Sequence, residues 1–334
     1  MTDINDIKVA VIGCGYWGRN HVRNYHELGN LAAICDNHPE NEQMVVSQFS
    51  TKAMSFEEIL ADDEIQAIVI ATPAPAHYAV ADAALDAGKH VFVEKPLTLN
   101  IKESEALAAK SEKLGLTLMV GHLLQYHSAF IKVKELIANG EIGNLLRVYS
   151  NRISFGKVQT AENVLWSLGP HDISMILSVT NEEPSEVVAL GSAYLSPQYQ
   201  DFVHTHLTFP SGVTAHIFNS WLSPFKEHKF VATGDKGSII FDDTQAWETK
   251  VAICRHNVTF PQNAPPLHEK ADLEYVALEQ SEPLKDECRH FLQSIATRET
   301  PRTDGREGLR VLKVLTQAQN SLEAAAKKQL KQSA

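Results

Sequence analysis

The sequence predicts a two-domain α/β chain. An N-terminal doubly wound parallel sheet is followed by an α+β domain built on a mainly antiparallel sheet. Three observations predict it. Up to His122, short and almost wholly apolar runs alternate with helical patterns. After His122 the strands lengthen, alternate in polarity and meet at hairpin turns. A chain of 334 residues also exceeds what one hydrophobic core usually organises.

In the first part, Lys8-Val9-Ala10-Val11-Ile12 reads as a buried strand, and the apolar residues Val22, Tyr25 and Leu28 predict a helix over 19–28. Strands follow over 31–35 and 65–71. A helix over 76–87 stops at Gly88, a residue type suited to ending a helix in the left-handed conformation. A strand over 90–93 comes next, then a helix opened by an Asn100/Glu103 capping box and closed by Gly115, then a strand over 116–120. Continuous apolar strands separated by helices are what a parallel sheet covered on both faces requires. The first domain is therefore placed at 1–122 and the second at 123–334.

In the second part, Phe130, Val133, Leu136 and Ile137 predict a helix over 128–139 that stops at Gly140. Residues 202–209 and 213–220 flank Pro210-Ser211-Gly212 as a hairpin. A second hairpin joins 229–233 to 238–241 through Gly234-Asp235-Lys236-Gly237. Residues 221–229 and 261–266 read as loops, and helices over 284–296 and 305–328 end the chain. The expected antiparallel sheet has one covered face.

Hydrophobic residues make up 44% and charged residues 21%, ordinary globular usage. No run of eighteen apolar residues occurs and the first residues are polar, so neither a membrane span nor a secretory signal is expected. Cys14, Cys35, Cys254 and Cys288 are scattered, which fits free thiols in a reducing cytoplasm better than disulfides or a thiolate zinc site. No metal is expected. A net charge of -11 disfavours a nucleic-acid partner but leaves room for an anionic small molecule held by local cations.

Gly13-Cys14-Gly15-Tyr16-Trp17-Gly18 satisfies G-x-G-x-x-G between a strand and a helix, the context in which the motif binds a dinucleotide. Gly13 makes the turn, Gly15 admits the pyrophosphate, and Gly18 lets helix and strand pack closely. The helix N-terminus then receives the anion. Asp36 ends the second strand and suits the adenosine ribose hydroxyls. Asn37-His38-Pro39 brings no arginine for a 2′-phosphate, so NAD is favoured over NADP. Ala71-Thr72-Pro73, with His77 beyond it, and Val93-Glu94-Lys95-Pro96 both leave strands at their carboxyl ends, where ligand crevices form. Lys95, taken alone, reads either as a structural ion pair with Glu94 or as a lysine tuned by desolvation.

These motifs resemble the glucose–fructose oxidoreductase/inositol dehydrogenase (Gfo/Idh/MocA) family. The likeness continues through Gly140-Glu141-Ile142-Gly143, Gly169-Pro170-His171 and Asp304-Gly305-Arg306-Glu307-Gly308-Leu309. The resemblance implies a Rossmann domain, an open-faced antiparallel sheet and an active site between them. Lys95 would touch the reacting hydroxyl and Glu94 the nicotinamide ribose. It also makes the segment around His171 the catalytic histidine region. Pro170 suits the first turn of a helix continuing through Ile173, Ile176 and Leu177, which would put His171 at a helix N-terminus, where the dipole favours neutral imidazole. A capping or core histidine is the alternative. Many family members carry an aspartate four residues before this histidine, and this chain has Ser167.

The activity this implies is oxidation of a secondary hydroxyl on a sugar or sugar nucleotide, with His171 taking the proton and Lys95 stabilising the alkoxide. The second-domain pattern resembles members found in surface-polysaccharide pathways, where the substrate class is a UDP-linked N-acetyl-glucosaminuronate oxidised at its 3-hydroxyl. Arg152 and Lys157 are candidate clamps for a carboxylate or diphosphate, or else ordinary surface charge. Asn163, Trp166 and Tyr126 are further candidate substrate contacts, although Tyr126 has packing as its alternative. His204 and His206 read as a sheet-face pair sooner than a metal site. An NAD-dependent glycoside hydrolase, an inositol or free-sugar dehydrogenase and an NAD-sensing regulator are the rival readings. Too few helices follow residue 140 to cover both faces of the sheet, so a homodimer or homotetramer through it is expected.

Overall fold

The computed structural model describes residues 3–332. Packing divides the chain into two units. The first is the chain up to Tyr126 together with Glu282–Leu312, and the second is His127–Ser281 with the chain from Lys313 on.

The first unit carries β1 (Val9–Ile12), α1 (Tyr16–Leu28), β2 (Leu31–Cys35), α2 (Pro39–Phe49), β3 (Lys52–Ala53), α3 (Phe56–Ala61), β4 (Ala67–Ile70), α4 (His77–Asp86), β5 (His90–Glu94), α5 (Ile101–Leu114) and β6 (Leu118–Gly121). The strands form one parallel sheet in the order β3-β2-β1-β4-β5-β6. Its order reverses at β1, and the crevice for a ligand opens beyond the carboxyl ends of strands at such a switch point. β1 and β4 are buried at every residue, which explains their uninterrupted apolar sequence. α2, β3 and α3 were not anticipated. Each helix buries a single residue, Val45 and Ile59 respectively, so neither shows a strong apolar stripe.

The second unit carries α6 (Ser128–Ala138), β7 (Leu145–Phe155), α7 (Val164–Thr180), β8 (Glu186–Ser192), β9 (Phe202–Thr208), β10 (Thr214–Ser220), β11 (Leu222–Gly234), β12 (Gly237–Asp242), β13 (Val251–Cys254), β14 (Asn257–Thr259), β15 (Leu267–Glu269) and β16 (Glu274–Tyr275). Its eight-stranded sheet runs β16-β13-β12-β11-β7-β10-β9-β8 and is antiparallel except where β7 and β10 pair in parallel. Both expected hairpins are present. The segment expected as a polar loop at 221–229 instead belongs mostly to β11, whose register with β7 jumps between Leu222 and Glu227.

One face of this sheet packs Val203, Leu207, Ala215, Ile217, Phe230 and Phe241 against helices, as where the Phe130 ring of α6 meets Phe230 edge-on. Residues alternate across a strand, so the opposite face presents Leu190, Phe202, His204, His206, His216 and Phe218. Leu190 there is 59% exposed.

Two helices follow, α8 (Pro283–Thr297) and α9 (Gly305–Gln332), and the division between units falls within α9. The sequence reading gave both helices to the second domain and ended the first at His122. By packing, α8 belongs to the first unit. Its buried stripe of Leu284, Cys288, Phe291 and Leu292 completes the core around Tyr25, Phe92 and Met119. No helix among the described residues is long and apolar enough to cross a membrane.

Candidate cofactor and catalytic site

The fingerprint turn sits between β1 and α1. Gly13 has φ +91, and a Cβ there would meet the Ala71 and Thr72 backbone at 2.8 Å. A Cβ on Gly18 would stand 1.8 Å from the Gly13 carbonyl oxygen, whereas one on Gly15 would project into open space. The turn therefore packs tightly on its inner side and stays open where a pyrophosphate approaches. Gly15 is the N-cap of α1 and supplies no side-chain cap, so the first helical N–H groups remain for an anion. Tyr16 and Trp17 flank this opening, 74% and 42% exposed.

Asp36 follows β2. Its Oδ2 accepts from the Cys14 N–H at 2.5 Å, and its Oδ1 accepts from the His38 N–H at 2.8 Å and from Asn41 at 3.2 Å. The carboxylate is thus fixed beside the glycine turn. A cavity of about 580 Å³ adjoins it, lined by Cys35, Asn37, Met54 and Phe56 and by the acids Asp36, Glu42, Glu57 and Glu58. No lysine or arginine lines it. Four carboxylates with no cation accept ribose hydroxyls and repel a 2′-phosphate. The residues present fit NAD.

After β4, the Thr72 hydroxyl is buried without a hydrogen bond among the described residues, and Pro73 is exposed. His77, expected to line the cofactor crevice, is buried. It is 1% exposed, with Nδ1 2.8 Å from the Pro96 carbonyl oxygen and Nε2 2.9 Å from that of Thr72. Burial lowers its pKa. It straps the loop after β4 to the loop after β5.

Glu94 ends β5 and Lys95 follows, both partly exposed. Glu94 Oε1 lies 2.6 Å from His21 Nε2 on α1, and Oε2 accepts from the Lys95 N–H at 3.3 Å. Burial pushes the Glu94 carboxyl up, yet the His21 contact and the Lys95 charge hold it below its ordinary value. His122, after β6, is 2% exposed with Nε2 3.8 Å from Glu307 Oε2, and burial drives its imidazole toward the neutral form. Neither His21 nor His122 was singled out from sequence. The available signal for His21 was its place three residues past Gly18, on the same helix face as Val22 and Tyr25.

In the second unit, α7 begins at Val164, capped by Asn163, whose Oδ1 accepts from the Trp166 N–H at 3.1 Å. Pro170 therefore lies inside the helix, and His171 is not at its N-terminus as expected. The dipole argument for His171 falls with that. His171 stays partly exposed on α7 and the neighbouring Asp172 is fully buried. Asp172 accepts from Ser150 Oγ at 2.7 Å, Arg152 Nε at 3.2 Å and Asn219 Nδ2 at 2.9 Å, so it organises β7 and β10.

Four residues expected to contact substrate hold partners within the protein. Arg152 is 8% exposed and bonded to Asp172. Asn163 caps α7 and donates to Gln200 at 3.1 Å and Gln319 at 2.8 Å. The Trp166 indole N–H donates to Gln319 at 3.1 Å. Tyr126 is 2% exposed in the core of the first unit, with its hydroxyl 2.8 Å from Thr303 Oγ1. Lys157 alone among the expected substrate cations is exposed. On β9, His204 stacks on Phe218 at 4.2 Å, and His206 meets His216 with their Nδ1 atoms 3.4 Å apart. No group of three or more metal-ligating side chains is found among the described residues.

Comparison with known proteins bears on the family and the fold. Residues 7–122 match the model of an oxidoreductase family with an NAD-binding Rossmann fold, and residues 130–240 match the GFO/IDH/MocA C-terminal domain. The chain is 27% identical over 322 residues to UDP-N-acetylglucosamine 3-dehydrogenase of Acidithiobacillus ferrooxidans, covering 95% of this chain and 98% of the relative. The solved structure of that enzyme superposes with a TM-score of 0.83 over 95% of this chain and 98% of its own. Myo-inositol 2-dehydrogenase of Thermotoga maritima is 25% identical over 95% of this chain and 96% of its own length. A 2,7-anhydro-N-acetylneuraminate hydratase of Escherichia coli is 27% identical over 71% of this chain and 68% of its own.

Proposed function

Because this chain belongs to the Gfo/Idh/MocA family of NAD-dependent oxidoreductases, we propose that it oxidises the 3-hydroxyl of a UDP-linked N-acetylglucosamine or of the corresponding uronate. The observation that carries this reading is the likeness to UDP-N-acetylglucosamine 3-dehydrogenase, which runs through both units and nearly the full length of each chain. The uronate, favoured from the sequence through the likeness to surface-polysaccharide members, loses one candidate clamp where Arg152 is engaged by Asp172.

NAD, when bound, accepts a hydride from a carbinol carbon. The chain's own part is to hold the dinucleotide and handle the proton. The N-terminus of α1 binds the pyrophosphate, Asp36 binds the adenosine ribose, and Glu94 binds the nicotinamide ribose. His171 accepts the hydroxyl proton, and the Lys95 ammonium stabilises the negative charge that develops on the oxygen. Lys157 is the exposed cation that attracts the diphosphate of the sugar nucleotide.

A redox-neutral use of the same site is the second reading, favoured by the likeness to a hydratase. Absorbance of NADH separates the two. Purified protein is incubated with NAD and a panel of UDP-N-acetylglucosamine, its uronate, free sugar acids and myo-inositol. The account expects NADH to accumulate with a UDP-sugar. Accumulation with inositol alone, or consumption of substrate without NADH, overturns it.

The uncovered face of the second unit's sheet, with Leu190, Phe202 and Phe218 on it, is proposed as the contact with a second copy of this chain in a homodimer or homotetramer.

A further inference from the structure

We propose that His21 is a positioning residue that holds the Glu94 carboxylate in place for the cofactor's nicotinamide ribose, with the Cys288 thiol fixing which ring nitrogen of His21 carries the proton. The inference rests on the reading of Glu94 as a ribose contact, and it adds a residue that the fingerprint does not include.

His21 lies on α1, the helix whose N-terminus faces the pyrophosphate, and is 0% exposed. Its Nε2 stands 2.6 Å from Glu94 Oε1, the short separation of a charge-assisted bond. Its Nδ1 stands 3.7 Å from Cys288 Sγ on α8. A thiol at that distance is placed to donate to Nδ1, and burial pushes the Cys288 thiol well up. An imidazole that accepts at Nδ1 carries its proton at Nε2, the nitrogen facing Glu94. The ring is held edge-on to Phe92 at 5.0 Å. Burial pushes Glu287, beside this cluster, well up as well, and the Glu94 charge adds to that.

Glu94 is confined on its other side. A Cβ at residue 121 would come 3.0 Å from Glu94 Oε2 and 3.2 Å from the Phe92 ring, so Gly121 leaves the room the carboxylate occupies. Glu94 also accepts from the Lys95 N–H at 3.3 Å. His21 thus provides a short side-chain hydrogen bond to Glu94, and the Glu94 side chain keeps 15% of its surface open. That combination suits a carboxylate oriented from behind and offered forward to a ligand.

The test is NADH binding followed by fluorescence, with H21N, H21Q, E94A and the double variant H21N/E94A, each checked by thermal unfolding. Asn places its amide near Nδ1 and keeps the Cys288 side while losing Glu94. Gln reaches the Nε2 position. The proposal expects H21N to bind NADH about tenfold more weakly and H21Q to recover most of that affinity. H21N should add nothing further in the E94A background. Wild-type affinity in folded H21N, equal loss in H21Q and H21N, or additive losses in the double variant would overturn it. Wild-type protein that fails to bind NADH would overturn the cofactor reading itself, and this proposal with it.

Discussion

Arg152 Nε donates to Asp172 Oδ1 at 3.2 Å inside the second unit, with Asp172 wholly shielded from water and Arg152 nearly so. A buried carboxylate with three donors is matched in place, and truncating it strands a guanidinium in a low-dielectric interior. Asp172→Ala is expected to cost about 3–5 kcal/mol of stability, because the unpaired charge remains buried. Urea unfolding measures it. A loss below about 1 kcal/mol would contradict the reading of Asp172 and Arg152 as a matched buried pair.

Cofactor choice follows from the acidic cavity beside Asp36. Glu42, Glu57 and Glu58 share its lining with no cation, so a 2′-phosphate meets negative charge on entry. NADPH is expected to bind on the order of a hundredfold more weakly than NADH, and Asp36→Ser should narrow the gap. Fluorescence titration of both nucleotides checks this, and equal affinities in the wild type would refute the reading.

The first unit should lose stability in mild acid through His90. Burial, helped by Arg298, lowers its pKa from 6.5 to about 4. Its Nδ1 accepts from the Thr117 N–H at 2.9 Å, a bond only the unprotonated nitrogen makes. The folded pKa lies below the unfolded one, so the unfolded chain binds the proton first as the pH falls. The stability this group contributes is complete above 6.5 and is lost between 6.5 and about 4. Asn at this position keeps an acceptor and does not titrate. The unfolding midpoint of His90→Asn should therefore fall less across that window than the wild type's, and identical slopes would contradict the assignment.

The uncovered sheet face bears on assembly. Leu190 at 59% exposure, beside Phe202 and Phe218, is an apolar surface of the kind two copies cover together. Light scattering is expected to give a dimer or tetramer at micromolar concentration and a smaller species for Leu190→Asp. A monomeric wild type would remove the proposal.

The fold was largely legible because burial on both faces leaves a mark on consecutive residues. β1 and β4 are apolar throughout, and the glycine turn lies where a strand ends and a helix starts. α2 and α3 escaped because Val45 and Ile59 are the only residues they bury, although the Ser55/Glu58 capping box marked where α3 begins. The start of α7 was masked by Pro170. A proline is most at home in a first turn, yet here it stands inside a helix that Asn163 had already opened. The partners of the candidate substrate residues were illegible for a different reason. Whether a polar atom is available depends on partners far along the chain, such as Thr303 for Tyr126 and Gln319 for Asn163 and Trp166, and no local pattern carries that information.

The central claim is that Lys95 acts on the reacting hydroxyl, while Glu94 beside it is held by His21 Nε2 and the Lys95 N–H. Lys95→Met tests it most directly, assayed for NADH formation and, separately, for NADH binding. The account predicts turnover reduced to background with NADH affinity within about threefold of wild type. Retained turnover, or turnover and cofactor affinity lost together, would contradict it.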